Sequence, residues 1–258
     1  MVEKSSRPEK IKKQRVDQLL VDRGLVESRT RAQALIMAGK VFTGEQRVAK
    51  PGDKITEDKP LEVRGQDHPW VSRGGLKLEK GLKHFNIDVS DLTAMDVGAS
   101  TGGFSDVLLA NGAEKVYAID VGRGQLHWKL RTDERVIVME STNARNLTSE
   151  IIPESIDVIV CDASFIGLEK VLNIPLTLAA PNAWLIALIK PQFQVGKGQV
   201  GKGGVVRDPD LHKKVCDEVQ HWLQSQENWD VLGITESPIT GPQGNIEFLI
   251  AAKKTTTG

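Results

Sequence analysis

The chain has 258 residues, 40% hydrophobic and 26% charged, the composition of an ordinary globular protein with room for one or two cores. Two cysteines, Cys161 and Cys216, exclude a disulfide scaffold and favour a reducing, cytoplasmic setting; with five scattered histidines they leave no expected metal site. Net charge is zero but unevenly spread, with 16 Lys/Arg against 11 Asp/Glu in residues 1–75, which suggests an amino-terminal module for a polyanion.

In chain order, MVEKSSRPEKIKKQR is polar and basic without the apolar stretch of a secretory signal, so residues 1–13 are expected to be a tail. A small α+β module is expected over 14–65. Val16, Leu19 and Leu20, then Ala32, Leu35 and Ile36, recur at helical spacing. Gly24 and Gly39 stand where these helices should stop, and Ser28 or Thr30 can cap the second. Short strands follow in KVFTGEQRV, with a turn at Gly44, and in PLEVRG, ending near Gly65. Residues 66–71 read as a linker.

From residue 72 to 258 the pattern becomes alternating strands and helices. Strands are expected at 92–97, 115–120, 135–140, 155–161, 183–189, 229–235 and 246–252. Between Asp210 and Gln226, Leu211, Val215, Val219, Trp222 and Leu223 form the apolar face of a helix. Apolar strands separated by helices predict a parallel sheet covered on both faces. The last two strands, joined by SPITGPQGN, have no room for a helix between them and must pair antiparallel. The fold expected is therefore α/β: a Rossmann-like, seven-stranded methyltransferase sheet with an antiparallel last strand, after a small α+β domain. The uncharged run between Lys170 and Lys190 is long enough to span a bilayer, but Pro175 and Pro181 interrupt it. A helix to about residue 179, a turn at Pro181-Asn182 and a strand describe it better, so no membrane span is expected.

The strongest local signal is AMDVGASTGGFSDVLLANG. A strand ends near Asp96, the turn holds Gly98, Gly102 and Gly103, and a helix begins near Phe104. Ligands bind at the carboxyl ends of strands in such sheets. Ser100 occupies the second glycine position of a dinucleotide loop, so the turn suits a cofactor without pyrophosphate, such as S-adenosylmethionine. Asp120 ends the next strand and can accept hydrogen bonds from ribose hydroxyls. Valine at Gly102 is expected to invade the space of the methionine moiety. The run GKGQVGK at 196–202 superficially matches a nucleotide-triphosphate loop, but Gly203 stands where a magnesium-binding Ser or Thr is needed. It reads better as a basic lid near cofactor or RNA.

Lys77, Asp162, Lys190 and Glu247 are charged residues beside or within strand ends, expected on one rim facing the glycine turn. The segments VSRGG, DVGASTGGF, IKPQF, VGKGQVG and GPQGNIEF are specific, and with them the chain resembles the TlyA family of ribosomal RNA 2′-O-methyltransferases, also labelled haemolysins. RVDQLLVDRGLVESRTRAQALIMAGKV is similar to an S4-type RNA-binding domain, and the chain from WVSRGGLKL onward to an FtsJ-like methyltransferase domain.

The resemblance implies a catalytic Lys-Asp-Lys-Glu tetrad at Lys77, Asp162, Lys190 and Glu247. It implies S-adenosylmethionine held by Asp96, Gly98, Ser100, Thr101, Gly102, Gly103, Phe104, Asp120, Val121, Asn143 and Asp162. The implied substrate is a cytidine ribose of ribosomal RNA within a ribosomal subunit. Backbone contacts to the RNA are expected from Arg15, Arg29, Arg31 and Lys40. Lys190 is the candidate base for the 2′-hydroxyl, which requires its pKa to be lowered by burial or by a second ammonium such as Lys77. Sequence leaves open which lysine is base and which is orienter. A membrane-active haemolysin would need an amphipathic or spanning segment, and a catalytically inactive assembly factor would not need the tetrad.

Overall fold

The computed structural model describes residues 12–23, 25, 26, 28–64, 68–196 and 198–256. Residues 1–11 of the basic tail, the helix stop at Gly24, the strand end at Gly65, linker residues Gln66 and Asp67, and Lys197 of the basic loop lie outside the described residues.

The amino-terminal module is built on two short helices, α1 (Val16–Asp22) and α2 (Arg29–Met37). The side chains at helical spacing close its core: Val16, Leu19 and Leu20 meet Ala32, Leu35 and Ile36 above Val41, Val48, Leu61 and Val63. Ser28 Oγ accepts from the Arg31 amide at 3.2 Å and caps α2. The strands β2 (Val41–Thr43), β3 (Gln46–Arg47) and β5 (Glu62–Val63) form one small sheet. A further strand, β1 (Lys13–Arg15), pairs antiparallel with β4 (Lys54–Thr56). Only three residues long and wholly polar, β1 carries no periodicity by which a sequence could reveal it.

The second region is a sheet of seven strands: β6 (Thr93–Val97), β7 (Lys115–Ile119), β8 (Val136–Met139), β9 (Ile156–Cys161), β10 (Ala179–Ile189), β11 (Trp229–Glu236) and β12 (Phe248–Lys254). Their order is β11-β12-β10-β9-β6-β7-β8, and β12 alone runs against its neighbours. One face packs a core around Met95, Ile159, Leu185 and Ile250; the other packs Ala94, Val158, Ile186 and Leu249. Alternate residues of the same strands thus serve both cores, which is why these strands read as continuous apolar runs. Helices α3 (Gly74–Phe85) and α4 (Gly103–Ala110) pack together beside this sheet.

Most expected strands shift by a residue or two at their ends, and three larger differences bear on the site and the core. The uncharged run folds as α5 (Asn173–Thr177) followed by β10, which enters the sheet at Ala179 and shifts register before Trp184, with Asn182 at φ 63°. No helix among the described residues is long and apolar enough to cross a membrane. The last strand begins at Phe248, so Glu247 precedes it rather than lying inside it. In α6 (Pro209–Gln224) the buried face uses His212 in place of Leu211; the ring is satisfied because Nε2 lies 2.8 Å from the Val206 carbonyl.

Candidate active site

Strand order explains how distant residues converge. Asp162 follows β9 and Lys190 follows β10. Because β12 runs the opposite way, its start lies beside their ends, and Glu247 precedes that start. Lys77 comes from α3 above the same edge. Asp162 sits between the two lysines: Lys190 Nζ is 2.6 Å from its Oδ1 and Lys77 Nζ 3.5 Å from its Oδ2. Lys77 also donates to Glu247 Oε2 at 2.7 Å, and Lys190 donates to the Asp162 carbonyl at 2.9 Å and to Ser164 Oγ at 2.8 Å. All four expected residues are thus brought together.

Burial pushes the Lys77 pKa down, but Asp162 and Glu247 outweigh it and leave the ammonium above its ordinary range. Burial pushes Asp162 up, and Lys190 and Lys77 more than reverse that, holding it below the usual carboxylate range. Lys77 is therefore a fixed cation and Asp162 a fixed anion.

A cavity of about 800 Å³ opens beside this cluster and runs to the glycine turn. Of the residues expected to hold a cofactor, Asp96, Gly98, Ser100, Thr101, Gly103, Phe104 and Asp162 line it. Asp96 is fully buried; Oδ2 accepts from the Ser105 amide (3.0 Å) and hydroxyl (2.7 Å), while Oδ1 has no partner. Burial pushes this carboxyl up to about 7, and its unpartnered Oδ1 is a buried acceptor that a cationic amine would satisfy while favouring the ionised form.

Gly102, Asp120, Val121 and Asn143 do not line the cavity. A Cβ on Gly102, at φ +95°, would stand 2.1 Å from Leu130 Cδ1 and 2.8 Å from Leu126 Cδ1. It points into the core and not, as the sequence suggested, toward a methionine moiety. Asp120 accepts from the Ser100 amide (2.8 Å) and the Gly122 amide (2.6 Å), shaping the loop from behind. Val121 is exposed, and the Asn143 side chain accepts from the Arg145 amide at 3.1 Å.

Several lining residues escaped the sequence reading. Phe165, at φ +65° and 89% exposed, sets its ring centroid 4.9 Å from that of Phe193, tilted by 47°, at the cavity mouth. The available signal was positional, since each aromatic follows three residues after a tetrad member, in DASF and KPQF. Gln192 donates to Glu247 Oε1 at 3.2 Å, and Gly241 comes so close to that carboxylate that a Cβ would lie 2.1 Å from Oε1. The basic loop lies along the rim, where Val200 and Gly204 line the cavity and Asn245 ties the Val206 amide and Gly204 carbonyl.

The amino-terminal module contributes a wall: Gln18, Val21, Asp22, Arg23 and Val26 line the same cavity. Thr101 Oγ1 donates to the Arg23 carbonyl, and the buried Arg23 guanidinium clamps the carbonyls of Lys59 (2.8 Å) and Glu57 (2.5 Å). Of the expected RNA contacts, Arg15 and Arg29 converge on Asp17, a buried carboxylate that also accepts from Gln33. Hydrogen bonding from Arg15 holds Asp17 well below the usual carboxylate range. Arg31 and Lys40 are exposed, on α2 and just before β2.

The FtsJ-like methyltransferase family matches residues 70–254, and the S4 domain family matches residues 14–59. A Mycobacterium tuberculosis protein named 16S/23S rRNA (cytidine-2′-O)-methyltransferase TlyA is 46% identical over 92% of this chain and 88% of its own length. The chain belongs to the TlyA family. Other TlyA-like relatives carry a different label: Hemolysin A of Brachyspira hyodysenteriae is 41% identical over 91% of this chain and 98% of its own. A solved structure from Streptococcus thermophilus, also labelled a hemolysin, superposes with a TM-score of 0.79 at 42% identity, covering 96% of this chain and 90% of that one. The TlyA family is therefore defined along nearly the whole chain, module and sheet together.

Proposed function

We propose that this protein transfers a methyl group from S-adenosylmethionine to the 2′-hydroxyl of a cytidine in ribosomal RNA. The observation that carries this reading is the meeting, in one cavity, of the orphaned Asp96 carboxylate and Lys77, Asp162 and Lys190, with Glu247 buried behind Lys77. When bound, S-adenosylmethionine supplies a methyl group already activated on a sulfonium. Asp96 Oδ1 would accept from its amine, with Ser100, Thr101 and Phe104 along the same wall.

The chain's own work is to position the acceptor and manage one proton. Lys77, caught between two carboxylates, stays charged and orients Asp162 and Glu247. Lys190 remains the residue to receive the proton of the 2′-hydroxyl. The Phe165–Phe193 pair offers an aromatic face at the mouth on which an unstacked base can rest while its ribose enters. The exposed Arg15, Arg29, Arg31 and Lys40 present charge for phosphates. Ribosomal RNA as substrate, and the cytoplasm as the place of action, rest on the relative named for cytidine-2′-O methylation of 16S/23S rRNA.

The test is transfer of label from methyl-labelled S-adenosylmethionine to purified small and large ribosomal subunits, followed by digestion to nucleosides. Label in 2′-O-methylcytidine is expected; label on a base, or none in either subunit, overturns the reading.

A further inference from the structure

The ammonium of Lys190 donates to the Asp162 carbonyl at 2.9 Å and to Ser164 Oγ at 2.8 Å, and lies 2.6 Å from Asp162 Oδ1 in an ion pair. The carboxylate is shared with Lys77, and the carbonyl belongs to the main chain at the end of β9. The remaining partner is a hydroxyl rotor on an exposed residue that lines the cavity, within reach of an entering ribose hydroxyl. It is held there by an unusual turn, because the next residue, Phe165, adopts φ +65°, a conformation seldom taken by a bulky side chain. Strain of this kind persists where the surroundings enforce it and collects at functional sites.

We propose that Ser164 is a positioning residue and proton bridge between the acceptor hydroxyl and Lys190, a role that rests on the methyltransferase reading above. A hydroxyl both accepts and donates, so Ser164 Oγ serves either form of the lysine. It accepts from the ammonium, and when Lys190 is neutral it donates to the nitrogen lone pair, which then faces it. In the reacting state the 2′-O–H bond breaks and its proton joins Ser164 Oγ. The proton that Ser164 carried moves to Lys190 Nζ, restoring the ammonium. The electron pair left on the ribose oxygen forms the new bond to the transferred methyl carbon, and the pair of the broken carbon–sulfur bond stays on sulfur. Ser164 ends as it began, and the net proton acceptor is Lys190.

Ser164→Ala and Ser164→Thr separate this role from a structural one. Single-turnover methylation of ribosomal subunits is measured across pH, alongside calorimetric affinity for S-adenosylhomocysteine and subunit affinity. Ser164→Ala is expected to lose about 10–10²-fold in the chemical step while both affinities stay within about twofold, and Ser164→Thr, which keeps the hydroxyl, to recover most of the rate. The wild-type rate in heavy-water mixtures should bow as two moving protons require, and the alanine variant should lose that curvature. Undiminished turnover in Ser164→Ala beside an active wild type overturns the bridge alone, as does a threonine variant no better than alanine. A wild type that methylates neither subunit overturns the bridge together with the methyltransferase reading.

Discussion

Two places in the molecule use one arrangement, a carboxylate gripped by two cations, to different ends. In the amino-terminal module Asp17 holds Arg15 and Arg29; at the sheet edge Asp162 holds Lys77 and Lys190. Both carboxylates are kept ionised by their partners. The cations differ. The arginine side chains are 46% and 50% exposed, whereas the lysines are 8% and 7%. A guanidinium cannot be deprotonated and remains half in water, so the first cluster is a display of fixed charge. A lysine, unlike an arginine, can give up a proton, and with Lys77 held as a fixed cation that role in the second cluster would fall to Lys190. Residue type and burial, more than the ion pairs, decide what each cluster does.

The comparison breaks if the lysine cluster is only another charge display. Lys190→Met should leave RNA and cofactor binding within a few-fold and lower single-turnover methylation by at least about 10²–10⁴-fold, the usual worth of general acid–base catalysis. Lys190→Arg should fail equally, because charge is preserved but proton acceptance is not. Substantial turnover in the arginine variant would make Lys190 a structural partner of Asp162 and erase the contrast.

The amino-terminal module and the sheet region meet at the glycine turn, where Thr101 donates to the Arg23 carbonyl, and Gly102 tests what that junction needs. Valine there must take φ +95° and displace Leu130 and Leu126, so its cost falls on packing. Backbone strain of about 1–3 kcal/mol corresponds to a melting temperature lower by roughly 2–12 °C in a protein of this size. Affinity for S-adenosylhomocysteine in the still-folded variant should fall far less. Lost affinity with unchanged melting would return the side chain to the cofactor space.

Asp17→Asn measures the arginine cluster. It removes an anion from between two half-exposed cations, for an expected loss of about 1–2 kcal/mol in the stability of the module. The sign with pH is defined. A carboxyl whose folded pKa is depressed stabilises above its unfolded value, near 3.9, and loses that stabilisation as pH falls through the folded value. Wild type and variant should therefore differ at pH 7 and converge only in strong acid. An equal difference at pH 7 and pH 2, read by chemical denaturation, would show that shape rather than charge was lost.

Much of this was legible in the residues. Apolar runs gave seven strands, and the short connection after β11 gave the antiparallel end, since local periodicity reports elements whose faces are buried. The tetrad was legible because a charge beside an apolar strand end is conspicuous. What escaped depends on three-dimensional closure. Asp17 looks like any polar residue of an amphipathic helix, and only the fold shows it buried under Arg15 and Arg29. Gly102 reads as a ligand-facing glycine until Leu130 is seen against it. The wall that α1 gives the cavity, through Arg23 and Thr101, joins residues 78 positions apart and leaves no local trace.

The smallest expected effect is also the most discriminating for the exposed cluster. If Arg15 and Arg29 meet RNA phosphates, each alanine substitution should reduce the slope of log affinity against log salt by roughly 0.7–0.9, one phosphate's worth of released counterions. Turnover at saturating RNA should not change, because neither side chain lines the cavity. Arg15→Lys sharpens the contrast with Lys190→Arg. It gives up the two-pronged hold on Asp17, at 2.9 and 2.8 Å, but keeps a cation in water. The salt slope should therefore survive Arg15→Lys almost intact, whereas turnover does not survive Lys190→Arg. The same exchange of cations, tolerated at one carboxylate and not at the other, separates a surface that needs only charge from a site that needs a movable proton. Unaltered slopes in both alanine variants would place the RNA on another face of the module.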